Sequence, residues 1–115
     1  MTLNHLDSGD ILSQGVEHGG VVYLCGLTAD DFGADVRGQT EQILDKIDDR
    51  LGKFGTDKSK LLTTTIYLAD ITQKPEMNEA WTAWLGSLER PARACVGAAL
   101  GKPDILVEIM VIAAK

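Results

Sequence analysis

The sequence offers no apolar run approaching the roughly 20 residues that a membrane-spanning helix needs. Its start, MTLNHLDSGDILSQG, has neither the basic opening nor the apolar centre of a secretory signal, so a soluble cytoplasmic protein is the expectation. Basic runs are missing too. Lys53, Lys58 and Lys60 stand among acidic and neutral neighbours, and 17 acidic against 11 basic residues leave a net charge of −6. That balance repels a phosphate backbone, which argues against nucleic acid as a partner. Cysteine is sparse: Cys25 and Cys95 have neither the close spacing of a zinc site nor the density of a disulfide scaffold, and burial as small apolar residues is their plain reading. His5 and His18 are the two histidines, one near the terminus and one beside a glycine pair, and no nucleophilic triad surrounds either. No repeat, low-complexity tract or Pro/Gly/Ser-rich linker interrupts the chain, so residues 1–115 fit one domain. A domain of this size hides only about two-thirds of the surface its unfolded form exposes, and association with further copies would add stability.

What the sequence does contain is periodicity. In GVEHGGVVYLC, from Gly15 to Cys25, two β-prone stretches flank Gly19-Gly20, a pair that turns a hairpin readily because both residues tolerate positive φ. From Asp35 to Phe54 the residues Val36, Ile43, Leu44, Ile47, Leu51 and Phe54 recur at helical spacing. Asp30, Asp31 and Asp35 lie near the positive end of that helix, and Gly52 and Gly55 punctuate its close. Gly38 counts against it by about 1 kcal/mol as an interior residue. LLTTTIYLAD reads as a strand centred on Thr63 to Tyr67. Thr72 is placed to cap a second helix that admits Pro75 in its first turn, buries Met77, Ala80, Trp81, Trp84 and Leu88, and stops near Gly86. Two strand-like runs follow, ARACVGAAL and ILVEIMVIAA, separated by the turn Gly101-Lys102-Pro103-Asp104. The order β-β-α-β-α-β-β has too few helices to cover both faces of a sheet, which predicts an α+β sandwich of a mixed sheet with two helices on one face.

The last strand is apolar on both sides, with Ile105, Val107, Ile109, Val111 and Ala113 alternating with Leu106, Met110 and Ile112. An isolated domain would leave one of these faces wet, and an exposed apolar sheet face marks a subunit contact, so a closed oligomer is expected. Glu108 is the single charge in that run. An ionised carboxylate buried there is costly unless it meets a cation, a donor or an opening in the sheet, or unless its pKa rises. Arg93, between Ala92 and Ala94, offers the matching cation on what reads as the neighbouring strand. Alternation puts Arg93, Cys95 and Gly97 on one face, with Gly97 leaving room beside a guanidinium whose planar fork matches a carboxylate. Two readings stay open: Arg93 merely neutralises Glu108, or the pair lines a pocket for a small acidic substrate.

The run Pro91-Ala92-Arg93-Ala94-Cys95-Val96, followed by Val107-Glu108-Ile109 and Ile112-Ala113, resembles the C-terminal signature of the Rid (YjgF) proteins, also labelled L-PSP endoribonucleases or translation inhibitors. Gln14-Gly15-Val16, Cys25-Gly26 and Met77-Asn78-Glu79-Ala80-Trp81 extend the likeness over nearly the whole chain, and it is weakest between Asp30 and Gly33, where many relatives have a longer loop. The resemblance implies a homotrimer of chorismate-mutase-like subunits with clefts between them. It also implies hydrolysis, without metal or organic cofactor, of enamine and imine acids such as 2-aminoacrylate to a 2-oxo acid and ammonia. On that likeness Arg93 clamps the substrate carboxylate and Glu108 holds and activates the attacking water, while the Gly26 N–H and the Cys95 main chain orient the acid. Leu12, Cys25 and Asn78 complete the implied binding set. Leu12 stands where many relatives have tyrosine and Cys25 where serine is common, which puts substrate preference in question; Asn78 also reads as a brace for its helix.

An imine carbon is already electrophilic, so one cation and one tunable carboxylate suffice to fix the substrate, protonate it and deliver water. Two other classes compete with this hydrolase. One is a non-catalytic binder of small carboxylic acids, in which Arg93 holds a ligand that is never hydrolysed. The other is the ribonuclease of the older family labels, which the acidic charge and the lack of a histidine pair oppose.

Overall fold

Helix α1 (Val36–Lys53) begins where the Asp35 carboxylate turns back to accept the Gly38 N–H at 2.8 Å. That bond sets Gly38 in the first turn, not in the helix interior, and a Cβ there would come within 3.0 Å of Ala34 and 3.2 Å of the Asp35 carboxylate. The computed structural model describes residues 2–115. Gly52 still lies within α1, and the chain leaves it through Gly55 at φ 78°. Helix α2 (Lys74–Leu85) lies against α1. Thr72 does not cap α2: it sits in a single 3-10 turn before it, where the Asp70 carboxylate accepts its N–H at 2.9 Å, and Gln73 precedes the helix without a side-chain cap. Met77, Ala80, Trp81 and Leu85 form the buried stripe, with Trp84 partly covered. Leu85 takes the place expected of Leu88 because the chain turns away at Gly86, whose φ is 56°.

Among the described residues six strands form one sheet: β1 (Asn4–Leu6), β2 (Gly15–His18), β3 (Val21–Leu24), β4 (Leu61–Leu68), β5 (Ala92–Gly97) and β6 (Val107–Ala114). Their spatial order is β1-β2-β3-β6-β4-β5, antiparallel throughout except for the parallel pair β4 and β5. The mixed α+β sheet with two helices on one face is therefore the observed architecture, with two corrections. Strand β1 precedes the expected order; Asn4-His5-Leu6 carries no β-branched residue, and its pairing with β2 makes it a strand. Strands β5 and β6 are not neighbours, because β4 lies between them, and residues 98–106 cross over it instead of making a tight turn. The Gly19-Gly20 hairpin is as expected, with φ of 60° and 77°.

The register settles the two faces. Thr64, Ile66 and Leu68 of β4 stand beside Val111, Ile109 and Val107 on one side and beside Arg93, Cys95 and Gly97 on the other. This face, with Val22 and Leu24, packs beneath the helices in a single core. Gly15 is needed there, since a Cβ would sit 2.8 Å from the Phe54 ring and 2.9 Å from Leu24. Among the described residues no layer covers the opposite face. Tyr23, Val96 and Met110 are 45%, 42% and 36% exposed there, an area of apolar side chains that fits the expected subunit contact.

One polar residue in the core ties the layers together. Gln39 is fully buried on α1; its amide donates to the carbonyls of Ala34 and Asp104 at 3.1 and 3.0 Å and, more weakly, to that of Phe32 at 3.4 Å. Its side-chain oxygen accepts the Leu106 N–H at 3.0 Å. The loop before α1 and the crossover before β6 thus hang on one side chain. Gln39→Leu keeps the volume and strands these buried groups, an expected loss of roughly 3 kcal/mol that lowers the thermal midpoint by about 10 °C or more. A melting curve within a few degrees of the parent would refute that account.

Candidate active site

The expected site residues fall into two groups, and the sheet separates them. The first surrounds Arg93. Because β5 is an edge strand, the Arg93 guanidinium reaches α2 on the helix-covered side, where Nη1 donates to Asn78 Oδ1, on the second turn of that helix, at 2.7 Å. The guanidinium lies over the Trp81 ring at 5.4 Å from the centroid, a cation–π contact. A cavity of roughly 360 Å³ opens beside it, lined by Asn78, Trp81, Thr82, Arg90, Pro91 and Arg93. Cys95 shares this side of the sheet and packs partly into the core. Gly97 lies farther along the strand, where a Cβ would meet Ile71 at 3.6 Å, so it does not make the room beside Arg93.

The second group surrounds Glu108 on the uncovered side. Glu108 stands beside Tyr67 in the β4–β6 register, and its carboxylate lies against the bare Cα of Gly26, where any Cβ would overlap it. A cavity of roughly 330 Å³ is lined by Gly26, Tyr67, Glu108, Met110 and the start of the crossover from Ala98 to Gly101. Glu108 is half-buried and borders this opening, so its carboxylate is not sealed in apolar packing. Cys25, next to Gly26, directs its thiol at Gln14 Oε1 at 3.7 Å. Burial pushes that thiol above its ordinary pKa, Arg50 works against the rise and the Glu108 carboxylate adds to it, so Cys25 stays a neutral thiol at pH 7.

Arg93 and Glu108 therefore do not pair within one chain, which corrects the reading of them as charges on neighbouring strands. They project from opposite faces, on strands separated by β4 and so about 10 Å apart. Leu12 joins neither group; it is 49% exposed in the β1–β2 loop. Asn78 and Cys95 belong with Arg93, while Cys25 and Gly26 belong with Glu108. Trp81 and Tyr67 were not read as site residues. The tryptophan followed the helical core stripe, and the place of Tyr67 beside Glu108 depends on a strand order that alternation alone does not give. Among the described residues no three His, Cys, Asp or Glu side chains gather as metal ligands would, and no helix is long and apolar enough to cross a membrane.

Comparison with known proteins agrees with this architecture over the full chain. The family model described as Endoribonuclease L-PSP matches residues 2–115. A RutC family protein of Haemophilus ducreyi is 37% identical over 112 residues, covering 97% of this chain and 96% of its own. The RutC family protein YoaB of Escherichia coli is 38% identical, covering 99% of both chains. Among solved structures, a member of the YjgF protein family from Neisseria meningitidis superposes with a TM-score of 0.96 at 36% identity, covering 100% of this chain and 96% of that one.

Proposed function

Because the chain belongs to the endoribonuclease L-PSP family, which takes in the YjgF and RutC proteins, we propose that it hydrolyses 2-imino acids and their enamine tautomers to 2-oxo acids and ammonia, in clefts formed between copies of itself. What carries this reading is Arg93: a guanidinium held by Asn78 and in cation–π contact with Trp81, with a cavity beside it and, among the described residues, no carboxylate paired with it. That is a receptor for a planar anion. Glu108, half-open beside Gly26, is the acid–base partner.

Since the two groups face opposite ways, Arg93 of one copy and Glu108 of another complete each site. A heterologous contact closes into a ring when its rotation permits, and the family resemblance implies a ring of three. The Arg93 fork holds the substrate C1 carboxylate. Water then adds to C2 as Glu108 takes one of its protons, and the imine nitrogen, protonated, receives the electron pair of the C=N bond. The resulting carbinolamine breaks at C–N: Glu108 returns the proton to nitrogen, ammonia departs, and the hydroxyl gives its own proton to Glu108 as its oxygen becomes the ketone of the 2-oxo acid, a proton that leaves with ammonia as ammonium. Oxygen enters from water and nitrogen leaves as ammonia, so the balance needs no co-reactant.

The test is an amino-acid dehydratase reaction that releases 2-aminoacrylate, with 2-oxo acid formation followed in the presence and absence of the protein. Acceleration is expected; saturable acid binding without acceleration would instead establish a non-catalytic binder. Gly26→Ala probes the second group separately. The added methyl meets the movable end of Glu108, so the fold persists while the carboxylate is displaced, and a drop in kcat of about tenfold to a hundredfold is expected. Unaltered kcat in Gly26→Ala would remove Glu108 from the chemistry.

A further inference from the structure

The cavity beside Arg93 holds a second guanidinium. Arg90 lies on the same rim, and its Nη1 donates to the carbonyls of Gly86 and Leu88 at 2.7 and 2.8 Å. Those two bonds anchor the head group over the end of α2. Its Nε and Nη2 make no hydrogen bond to protein among the described residues. Among the described residues Arg90 and Arg93 make no ion pair, as Lys58, Lys60, Lys74 and Lys102 make none, and what sets the two arginines apart is that they share one opening. None of the six residues lining the cavity is acidic. In a chain of net charge −6, two cations without a counterion on one opening form a local positive field that a single carboxylate does not balance.

We infer that this site is built for a dianionic substrate: a 2-imino diacid whose C1 carboxylate lies on Arg93 and whose side-chain carboxylate lies on Arg90. This assignment rests on the hydrolase reading for its chemistry and narrows it to the imines of acidic amino acids. The anchored Arg90 supplies a preset donor edge, so the second carboxylate binds without the full cost of ordering a free arginine. A short aliphatic imine would leave that edge empty. The reaction is unchanged, with water adding to C2 and ammonia leaving, and selectivity arises at the end of the substrate remote from the bond that breaks.

The test compares two imines made in place by flavin amino-acid oxidases, one from D-aspartate and one from D-alanine, each followed by semicarbazide trapping of the imine that survives. The parent protein is expected to favour the diacid imine in kcat/KM by about tenfold or more, the worth of one added charge-assisted contact. Arg90→Gln is expected to collapse that ratio, and Arg90→Lys, which keeps the charge but loses the anchored planar edge, to retain only a part of it. Calorimetry with succinate and propionate reads the same preference without catalysis. Tighter succinate binding that disappears in Arg90→Gln supports the assignment even if no imine is turned over, an outcome that would strike only the hydrolase reading. Equal handling of both acids by the parent protein, or a preference that Arg90→Gln leaves intact, overturns it.

Discussion

Arg93→Ala is expected to lower kcat/KM for imine hydrolysis by about a hundredfold to ten-thousandfold, because it removes two charge-assisted hydrogen bonds worth roughly 1.5–3 kcal/mol each. The loss comes from the anchor, not from the fold. Arg93 is half-buried at an edge strand, and its side-chain links among the described residues are one hydrogen bond to Asn78 and the cation–π contact with Trp81. Its removal therefore leaves the core beneath α1 and α2 intact, and the thermal midpoint should fall by only a few degrees. Arg93→Lys separates charge from shape: it retains the cation and loses the planar fork, so it should recover only a small part of the activity. The measurement is 2-oxo acid release from a dehydratase-generated enamine, with the melting curve as the control for folding. Near-normal turnover in Arg93→Ala, with a normal melt, would end the proposal that this guanidinium holds the substrate.

Two inactive variants should restore one another. If each cleft takes Arg93 from one copy and Glu108 from the next, Arg93→Ala and Glu108→Gln chains assembled together produce some clefts in which both groups are native. With equal, random mixing the chance that one position contributes Arg93 and its neighbour Glu108 is about one quarter, so activity should return to roughly a quarter of the parent level. Neither variant alone should exceed background. The experiment mixes the two chains, disperses them in mild denaturant and reassembles them before assay. A site contained in one chain would give no recovery, since every chain in the mixture would lack one of its groups. The register on either side of β4 makes that single-chain arrangement untenable here, because it sends the two side chains to opposite faces.

That register also marks the limit of what alternation and periodicity can say. Helix α1 was legible because its apolar residues repeat along a single line of sequence, and the two-sided character of β6 was legible from alternation. The relation of Arg93 to Glu108 was not. Each residue's face could be assigned relative to its own strand, but whether the two faces coincide depends on β4 being inserted between β5 and β6, a fact of topology carried by no local pattern. Strand β1 escaped notice because three residues without β-branching become a strand only through their partner. Gln39 did leave a signal: it lies four positions before Ile43, on the apolar stripe of α1, and an amide in that place had to find partners. Arg90 left none, since a charged residue after a helix is ordinarily solvated.

The uncovered face of the sheet has a consequence for how the protein is made. Tyr23, Val96 and Met110 lie bare on a newly folded chain, and such a surface adheres to whatever apolar partner it meets first. If copies of the chain cover this face for one another, as proposed above, each chain runs a race between finding its sisters and clumping with strangers. Slower synthesis at lower temperature should favour the first outcome by keeping bare chains scarce, so the soluble yield becomes a reading of assembly speed.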